Sequence, residues 1–454
     1  MRHIALSLAK TAGWISRALG RGGGTTLPGM ILLKLRPHTL DEMAQELEDG
    51  VIVISATNGK TTTARMVSHA AHESGITFVA NTSGANLPSG IATALLRRNP
   101  DEKLGVFEID EAALPELVPK LQPSVLVLMN LFRDQLDRYG ELESTIQKWE
   151  EMIKSLPDTT KLVINADDPA LAFLGSLHQN VEFFGIELTH YGSKTIPHAA
   201  DSLHCQKCDG PLSFQQVTIG HLGHWKCQNC ESQRPKPSFA GDKINLQGLN
   251  GSKFIAVSQT GPLEIQIPLA GIHNVYNALA AYATCSTIGI SGTNIQKGLS
   301  TLSAAFGRNE IINFEGIELL IMLAKNPAGA NQNLRTLLLE EEKIHLAILL
   351  NDRTADGKDV SWIWDVDYEM IVDRLASLTI SGDRAYDLAL RFHYSGFPTA
   401  SMHITPSPQG LLEHLKSSIK TGEKAIILPT YTAMLDLRSE LNKMGATHSF
   451  WEEQ

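Results

Sequence analysis

Two α/β domains of the doubly wound kind, the first carrying a metal-bearing insert, are what this sequence predicts. Three observations carry that expectation. Short apolar runs rich in β-branched residues alternate with helical patterns along most of the chain, the texture of buried parallel strands joined by helices. One such run, Val51 to Ser55 (VIVIS), leads directly into Ala56-Thr57-Asn58-Gly59-Lys60-Thr61-Thr62-Thr63 and a helical pattern. Two Cys-x-x-Cys pairs sit inside a stretch of short alternating segments, as expected of a metal-bound ribbon.

The 454 residues allow about three domains at roughly 150 residues each, with a core that needs no disulfides. Lys plus Arg total 39 against 49 for Asp plus Glu, a formal charge of −10, so nucleic acid is not an expected partner. Apolar residues make up 43% and charged residues 19%, an ordinary globular profile. Five cysteines, four of them in the paired motifs, read as metal ligands in a reducing compartment and suggest the cytoplasm.

The elements follow in chain order. Ile4, Leu8, Ile15 and Leu19 recur at helical spacing while Lys10 and Arg17 interrupt the apolar stretch. Residues 1–40 are therefore read as an amphipathic helix and a Gly-rich loop at Gly22 to Gly24, not as a signal peptide. That helix either packs on the protein's own core or touches a membrane surface. Residues 41–312 are read as a central domain with strands at VIVIS, Leu104 to Ile109, Ser124 to Met129 and Lys161 to Asn165. The texture changes from Phe184 to about Gln266, an insertion or small subdomain whose ribbon covers about 200–235, and a helix is expected from Asn274 to Ile288. Residues 313–454 form a Rossmann-like α/β domain with runs at Glu318 to Leu323, His345 to Leu350, Leu378 to Ile380 and Ala425 to Leu428. The stretch without charge from Ile265 to Gln296 is broken by Pro268 and Gly271 and is not a membrane span.

The loop after VIVIS is an anion cradle: backbone N–H groups and a helix dipole face a triphosphate there. Lys60 is placed to neutralise β and γ oxygens, and the Thr61 hydroxyl to ligate Mg2+. Thr57, Asn58, Gly59, Lys60, Thr61 and Thr62 are the candidate contacts. The strict motif would have Gly at position 54, where this chain has Ile54, so the loop is a variant. Glu108 ends a predicted strand, where ligands meet a parallel sheet, and would complete the Mg2+ site beside Thr61. Its plainer role would be to cap a helix or pair with a lysine.

Cys205-x-x-Cys208 and Cys227-x-x-Cys230 are separated by 18 residues, inside the window for a four-thiolate zinc site. Four protein ligands leave no open position, so a structural Zn2+ is expected; a redox dithiol is the alternative. His204, His221 and His224 are read as surface residues. Cys285 lies in an apolar helical pattern, where a thiol is usually inert. The chain therefore offers no reactive thiol of its own.

These residues resemble the Mur ligase family, ATP-dependent enzymes that activate a carboxylate as an acyl phosphate. The ATNGKTTT loop carries the likeness, with Asn130 and Arg133 to Arg138, Asn165-Ala166-Asp167-Asp168-Pro169, Gly271-x-His273-Asn274-x-x-Asn277, and Gly307-Arg308-Asn309-Glu310. The resemblance implies a Mur ligase-like central P-loop domain, with Asn274 and Asn277 near adenine, Arg308 near the phosphates and Glu108 at Mg2+. The chain departs from the family at Gln135, where members usually carry His, and a carboxylated Lys is not assignable.

Within the family, three features resemble an amidating synthetase subunit: the four-cysteine insert, Lys325-Asn326-Pro327-Ala328-Gly329, and the run from Asn351 to Asp365. That likeness implies amidation of the D-glutamate α-carboxylate of the lipid II stem peptide to D-isoglutamine through an acyl phosphate. It also implies a heterodimer with a GatD-like glutamine amidotransferase that supplies ammonia, and ATP, Mg2+ and structural Zn2+ as cofactors. The partner would dock on the Asn351 to Asp365 run, with Asp356, and behind it Asp352 and Asp359, completing its Cys-His pair. Lys60 and these three carboxylates are thus the catalytic candidates. A peripheral position at the inner membrane face, where lipid II lies, stays open. Trp362 and Trp364 among carboxylates suit an interface, or else cover the core beneath a solvated loop. The alternatives are a stand-alone Mur-type or folylpolyglutamate-type amino-acid ligase and, from another class, a nucleotide-gated zinc-ribbon binding protein.

Overall fold

The protein is described by a computed structural model over residues 25–81, 84–133, 142–198, 200–302 and 308–447, with residues 6, 9 and 11. The expected helix positions Ile4, Leu8, Ile15 and Leu19, the glycines Gly22 to Gly24, and the motif stretch 134–138 lie outside the described residues.

The first sheet begins with β1 (Val51–Ser55), β2 (Phe78–Ala80), β3 (Leu104–Glu108), β4 (Val125–Leu128), β5 (Lys161–Asn165) and β6 (Val181–Ile186). All pair in parallel, in the spatial order β6-β5-β4-β1-β3-β2. All five residues of β1 are buried, because helices cover both faces. Ile52 and Ile54 enter the core shared with the helix Ile272–Thr287, and Val51 and Val53 enter the core on the opposite face. That two-sided burial explains why the strand reads as an unbroken apolar run. The chain leaves β1, fills the β3 side, then crosses to β4 on the other side. The phosphate loop therefore lies where the strand order reverses, the place at which open α/β sheets hold ligands.

β7 (Leu212–Ile219) and β8 (Leu222–Cys227) form a separate hairpin. β9 (Phe239–Leu246) then adds to β6 in parallel, and β10 (Ser252–Ser258) and β11 (Gly261–Ile267) extend the same sheet antiparallel to nine strands. The altered texture from Phe184 to Gln266 thus has two origins. Part of it is the ribbon, and part is sheet with one face toward water, where alternate side chains are exposed.

The second sheet contains β12 (Arg308–Phe314), β13 (Ile317–Met322), β14 (Ile344–Leu349), β15 (Leu375–Ser381), β16 (Met402–Ile404) and β17 (Lys424–Pro429), in the order β12-β13-β17-β14-β15-β16. It is parallel except for the β12–β13 hairpin. That hairpin turns through Glu315 and Gly316, both at positive φ, the geometry that two-residue hairpin turns favour. The domain boundary expected at 312/313 falls inside β12, so strand pairing puts the change of sheet ahead of Arg308. Among the described residues, no helix is long and apolar enough to cross a membrane.

The helix Lys60–Glu73, which carries the phosphate loop's last residues, is wedged against the helices Ile272–Thr287 and Gly292–Ser300. Gly298 permits the second approach: a Cβ there would stand 2.6 Å from the Ala70 backbone nitrogen. Gly298→Val should force the helices apart and destabilise the chain by about 1–3 kcal/mol, read as a lowered melting temperature. An unchanged melting temperature would show that the packing is loose enough to absorb the side chain.

Candidate active site

The loop between β1 and its helix is held from two sides. Asn130, just past β4, accepts from the Asn58 backbone N–H at 2.9 Å through Oδ1 and returns a bond from Nδ2 to the Asn58 carbonyl at 2.9 Å. Thr57 Oγ1 accepts from the Phe132 N–H at 3.0 Å. From the second domain, Asn326 and Asn58 exchange side-chain amide bonds of 3.3 and 3.1 Å. The same Asn326 Oδ1 accepts from the Gly329 N–H at 2.8 Å, capping the helix Pro327–Leu337.

Gly59 caps the helix Lys60–Glu73 with φ of 93°. A Cβ there would meet Asn277 Oδ1 at 2.1 Å, so both backbone angle and space require glycine. Asn277 Nδ2 donates to Asn274 Oδ1 at 3.0 Å, and Asn274 Nδ2 to the Ala270 carbonyl at 2.7 Å. The two asparagines thus stand together against the phosphate loop.

Lys60 is buried and bonded to the Ala56 carbonyl, to the Thr57 carbonyl at 3.5 Å and to Glu111 Oε2 at 2.6 Å. Burial pushes the Glu111 carboxyl up, but the charges of Lys60 and Lys325 outweigh it and hold the group below the usual carboxylate range. Glu111 was not among the sequence-derived candidates; it lies three residues past Glu108 with no motif to mark it. Glu108 is 2% exposed. Its Oε1 accepts from the Gly84 N–H at 3.1 Å, while Oε2 has no hydrogen-bond partner among the described residues. A buried, unmatched carboxylate oxygen beside a phosphate loop fits Mg2+ better than it fits a cap or a lysine pair.

Thr57, Asn58, Gly59, Lys60, Thr61, Thr62, Asn274 and Asn277 all line one cavity of about 440 Å³. Lys325, Gly329, Gln332, Ala355 and Tyr431 of the second domain close its other side. Arg308 opens β12, and its side chain lies outside the described residues.

The three aspartates separate. Asp356 is buried, and both its oxygens are taken by Thr432, Oδ1 from the backbone N–H at 2.8 Å and Oδ2 from the hydroxyl. Burial raises its pKa, opposed by those bonds. Asp352 pairs with Arg384 at 3.1 Å, and Asp359 accepts from the Ser361 N–H at 2.8 Å. Cys285 is fully buried and pushed up to about 12 by that burial, so it is no nucleophile.

Cys205, Cys208, Cys227 and Cys230 bring their sulfurs within 4.8 Å of one another. The pairs Cys205–Cys230 and Cys208–Cys227 lie 3.7 and 3.5 Å apart, close to the edge of about 3.8 Å of a tetrahedron with 2.3 Å zinc–sulfur bonds. The N–H groups of Asn229 and Cys230 face Cys227 Sγ at 3.3 and 3.4 Å, favouring a thiolate. The cluster could hold a metal ion. At its other end the hairpin places Ile219 and Leu222 in the cavity wall. His204 is exposed, but His221 is not a surface residue. It is fully buried, 3.5 Å from Asp168 Oδ2 and against the Phe132 ring at 4.8 Å. His224 is half-buried, with Nε2 2.9 Å from the Ile186 carbonyl.

Comparison with known proteins bears on this arrangement. Residues 323–434 match the family described as MurT ligase C-terminal, and residues 54–231 the Mur ligase middle domain. The chain is 33% identical to the MurT subunit of lipid II isoglutaminyl synthase (glutamine-hydrolyzing) from Streptococcus pneumoniae, over 96% of each chain. It is 32% identical to the subunit of the same name from Staphylococcus aureus, over 97% of each. A pseudomurein peptide ligase type C from Methanothermus fervidus shares the fold with a TM-score of 0.68 at 22% identity, covering 88% of this chain and 79% of that one. MurF from Thermotoga maritima, solved with ADP, does so with a TM-score of 0.63 at 15% identity, covering 89% and 84%.

Gly59→Ala should strain the helix cap and displace Asn277, lowering ADP affinity by about five- to thirtyfold in calorimetric titration, since left-handed backbone disfavours a side chain by about 1–2 kcal/mol. Wild-type affinity in this variant would mean that the loop relaxes without cost.

Proposed function

The chain belongs to the MurT family of Mur-type ligases and is an ATP-dependent ligase, and from that premise we propose that it is the synthetase subunit of a lipid II-amidating enzyme. The reaction converts the D-glutamate α-carboxylate of the lipid II stem peptide to D-isoglutamine. A carboxylate oxygen attacks the terminal phosphorus of ATP, the bond to the ADP oxygen breaks, and an acyl phosphate forms. Ammonia adds to the acyl carbon, phosphate leaves, and the nitrogen sheds a proton to give the carboxamide. The observation that carries this reading is the shared cavity: phosphate-loop residues form one wall, and second-domain residues, among them Ala355 of the Asp352 to Asp359 run, form the other.

On this reading the N–H groups of residues 57–62 and the helix dipole orient the triphosphate. Its oxygens replace Glu111 as the counter-charge of Lys60, which stabilises charge on the transferring phosphoryl group. Asn274 and Asn277 flank the nucleotide, and Arg308 is assigned to its phosphates by likeness to the family. Thr61 and Glu108 would hold Mg2+, which when bound neutralises phosphate charge. The four cysteines would hold Zn2+, which when bound contributes folding energy.

Ammonia comes from a GatD-like glutamine amidotransferase, because four of the five thiols cluster as ligands and the fifth is inert. We assign Asp356, ahead of Asp352 and Asp359, as the carboxylate that orients the partner's histidine. Its two bonds to Thr432 support this assignment, since an orienting carboxylate must itself be fixed. The chain acts in the cytoplasm, meeting its lipid-linked substrate at the inner membrane face.

With purified partner, lipid II, Mg2+ and ATP, either glutamine or ammonium should yield amidated product and inorganic phosphate. Lys60→Ala should lower both by about 10²–10³-fold, as followed by mass spectrometry. Product formation without ATP would defeat the reading. Cys208→Ser should lower both the zinc content measured by elemental analysis and the melting temperature. A variant that kept its melting temperature without zinc would remove the ribbon's structural role.

A further inference from the structure

The helix Pro327–Leu337 turns Ala328, Gly329, Gln332 and Asn333 toward the nucleotide cavity, a spacing that puts all four on one helix face. Gln332 is 5% exposed. Its backbone carbonyl accepts from Thr336 Oγ1 at 2.9 Å, but its side-chain amide forms no hydrogen bond with any of the described residues. The carboxamides around it are committed. Asn333 Nδ2 donates to the Met322 and Leu323 carbonyls at 3.3 and 3.2 Å, Asn274 Nδ2 to the Ala270 carbonyl, and Asn277 Nδ2 to Asn274. A side chain this buried that keeps a donor and an acceptor in hand is costly unless something enters the cavity to meet them.

The neighbours of Gln332 say what that something is. Ala328, one turn before it, packs in the same core cluster as Ile219, Leu222 and Leu269, three apolar residues of the cavity wall. Thr336, one turn after it, stands against the start of the helix that carries Asn274: a Cβ on Gly271 would lie 2.5 Å from Thr336 Oγ1. Gln332 thus sits where an apolar wall meets the asparagine helix, a place suited to a flat ring with a polar edge. A carboxamide presents acceptor and donor side by side, the pattern that matches the 6-amino group of adenine and the ring nitrogen next to it. We propose that Gln332 reads the base of the bound nucleotide, Oε1 accepting from the 6-amino group and Nε2 donating to the adjacent ring nitrogen, an inference that rests on the nucleotide site proposed above. The first domain would then hold the phosphates and the second the base edge. Only a nucleotide with both would engage both walls.

The test titrates the full chain with three probes in the presence of Mg2+: ADP, purine riboside diphosphate, which lacks the 6-amino group, and tripolyphosphate, which lacks the base. The wild-type chain should bind ADP about tenfold more tightly than the purine analogue, because loss of the amino group leaves the buried Gln332 oxygen unpaired. Gln332→Met keeps the side chain's length and removes both polar ends. It should bind ADP about tenfold more weakly than wild type, hold the two diphosphates within about twofold of each other, and bind tripolyphosphate as wild type does. Gln332→Ala, measured in the same way, decides the matter if the Met variant does not fold. A wild-type chain indifferent to the amino group overturns the inference, as does a preference for ADP that survives in the variant. An equal loss of tripolyphosphate binding also overturns it, in favour of a role in shaping the cavity. These three outcomes leave the proposed function standing, whereas a wild-type chain that binds neither ADP nor tripolyphosphate overturns that function and the inference together.

Discussion

Asn58 is the residue at which the two domains meet around the phosphate loop. Its backbone is gripped by Asn130 from the first sheet, and its side chain exchanges hydrogen bonds with Asn326. Each such bond contributes only about 1 kcal/mol net, so the junction sets geometry more than stability. It orients the Pro327–Leu337 helix, whose cap is Asn326 itself, and thereby places Lys325 and Gln332 across the cavity from Lys60. It acts with other polar contacts between the domains, among them Arg133 to Asp365 at 3.3 Å and the Leu249 N–H to Glu340 at 2.9 Å.

The ribbon hairpin is a second support for the same cavity. Its sulfur cluster lies at one end and Ile219 and Leu222 at the other. Between them, Trp225 donates to the Ala166 carbonyl at 3.0 Å, and Asp167 accepts from Arg234 and Tyr276, both at 2.6 Å. Such buried charge is tolerable because it is paired and bonded on several sides. Arg335 of the second domain donates to the Thr218 carbonyl at 3.1 Å, so the hairpin also seats that domain. Order at the cysteine cluster is thereby linked to the cavity wall through continuous hydrogen bonding and packing.

Much of this is legible in the sequence. Strands buried on both faces announce themselves as apolar runs, and VIVIS and the run at Leu104 matched the sheet nearly residue for residue. The thiol pairs and the GKT loop were legible because their chemistry requires particular residues at short, fixed spacing. Sheet strands with one wet face are harder: β9 to β11 read as insert texture because polar residues, glycine and proline interrupt their apolar positions. His221 was misplaced because a lone histidine among polar residues carries no local signal of the Phe132 and Asp168 environment that buries it.

Sequence by itself determined the two α/β units, the anion-binding loop and the four-cysteine cluster, since each depends on neighbours close along the chain. Tertiary structure alone decided that Lys60 rests on Glu111, that Asn277 stands over Gly59, that Asn326 clasps Asn58, and that Thr432 holds Asp356 by two hydrogen bonds. These pairs are separated by between 51 and 268 positions. Contacts of that range arise from how the sheets stack and where their loops converge, and local periodicity carries no record of either.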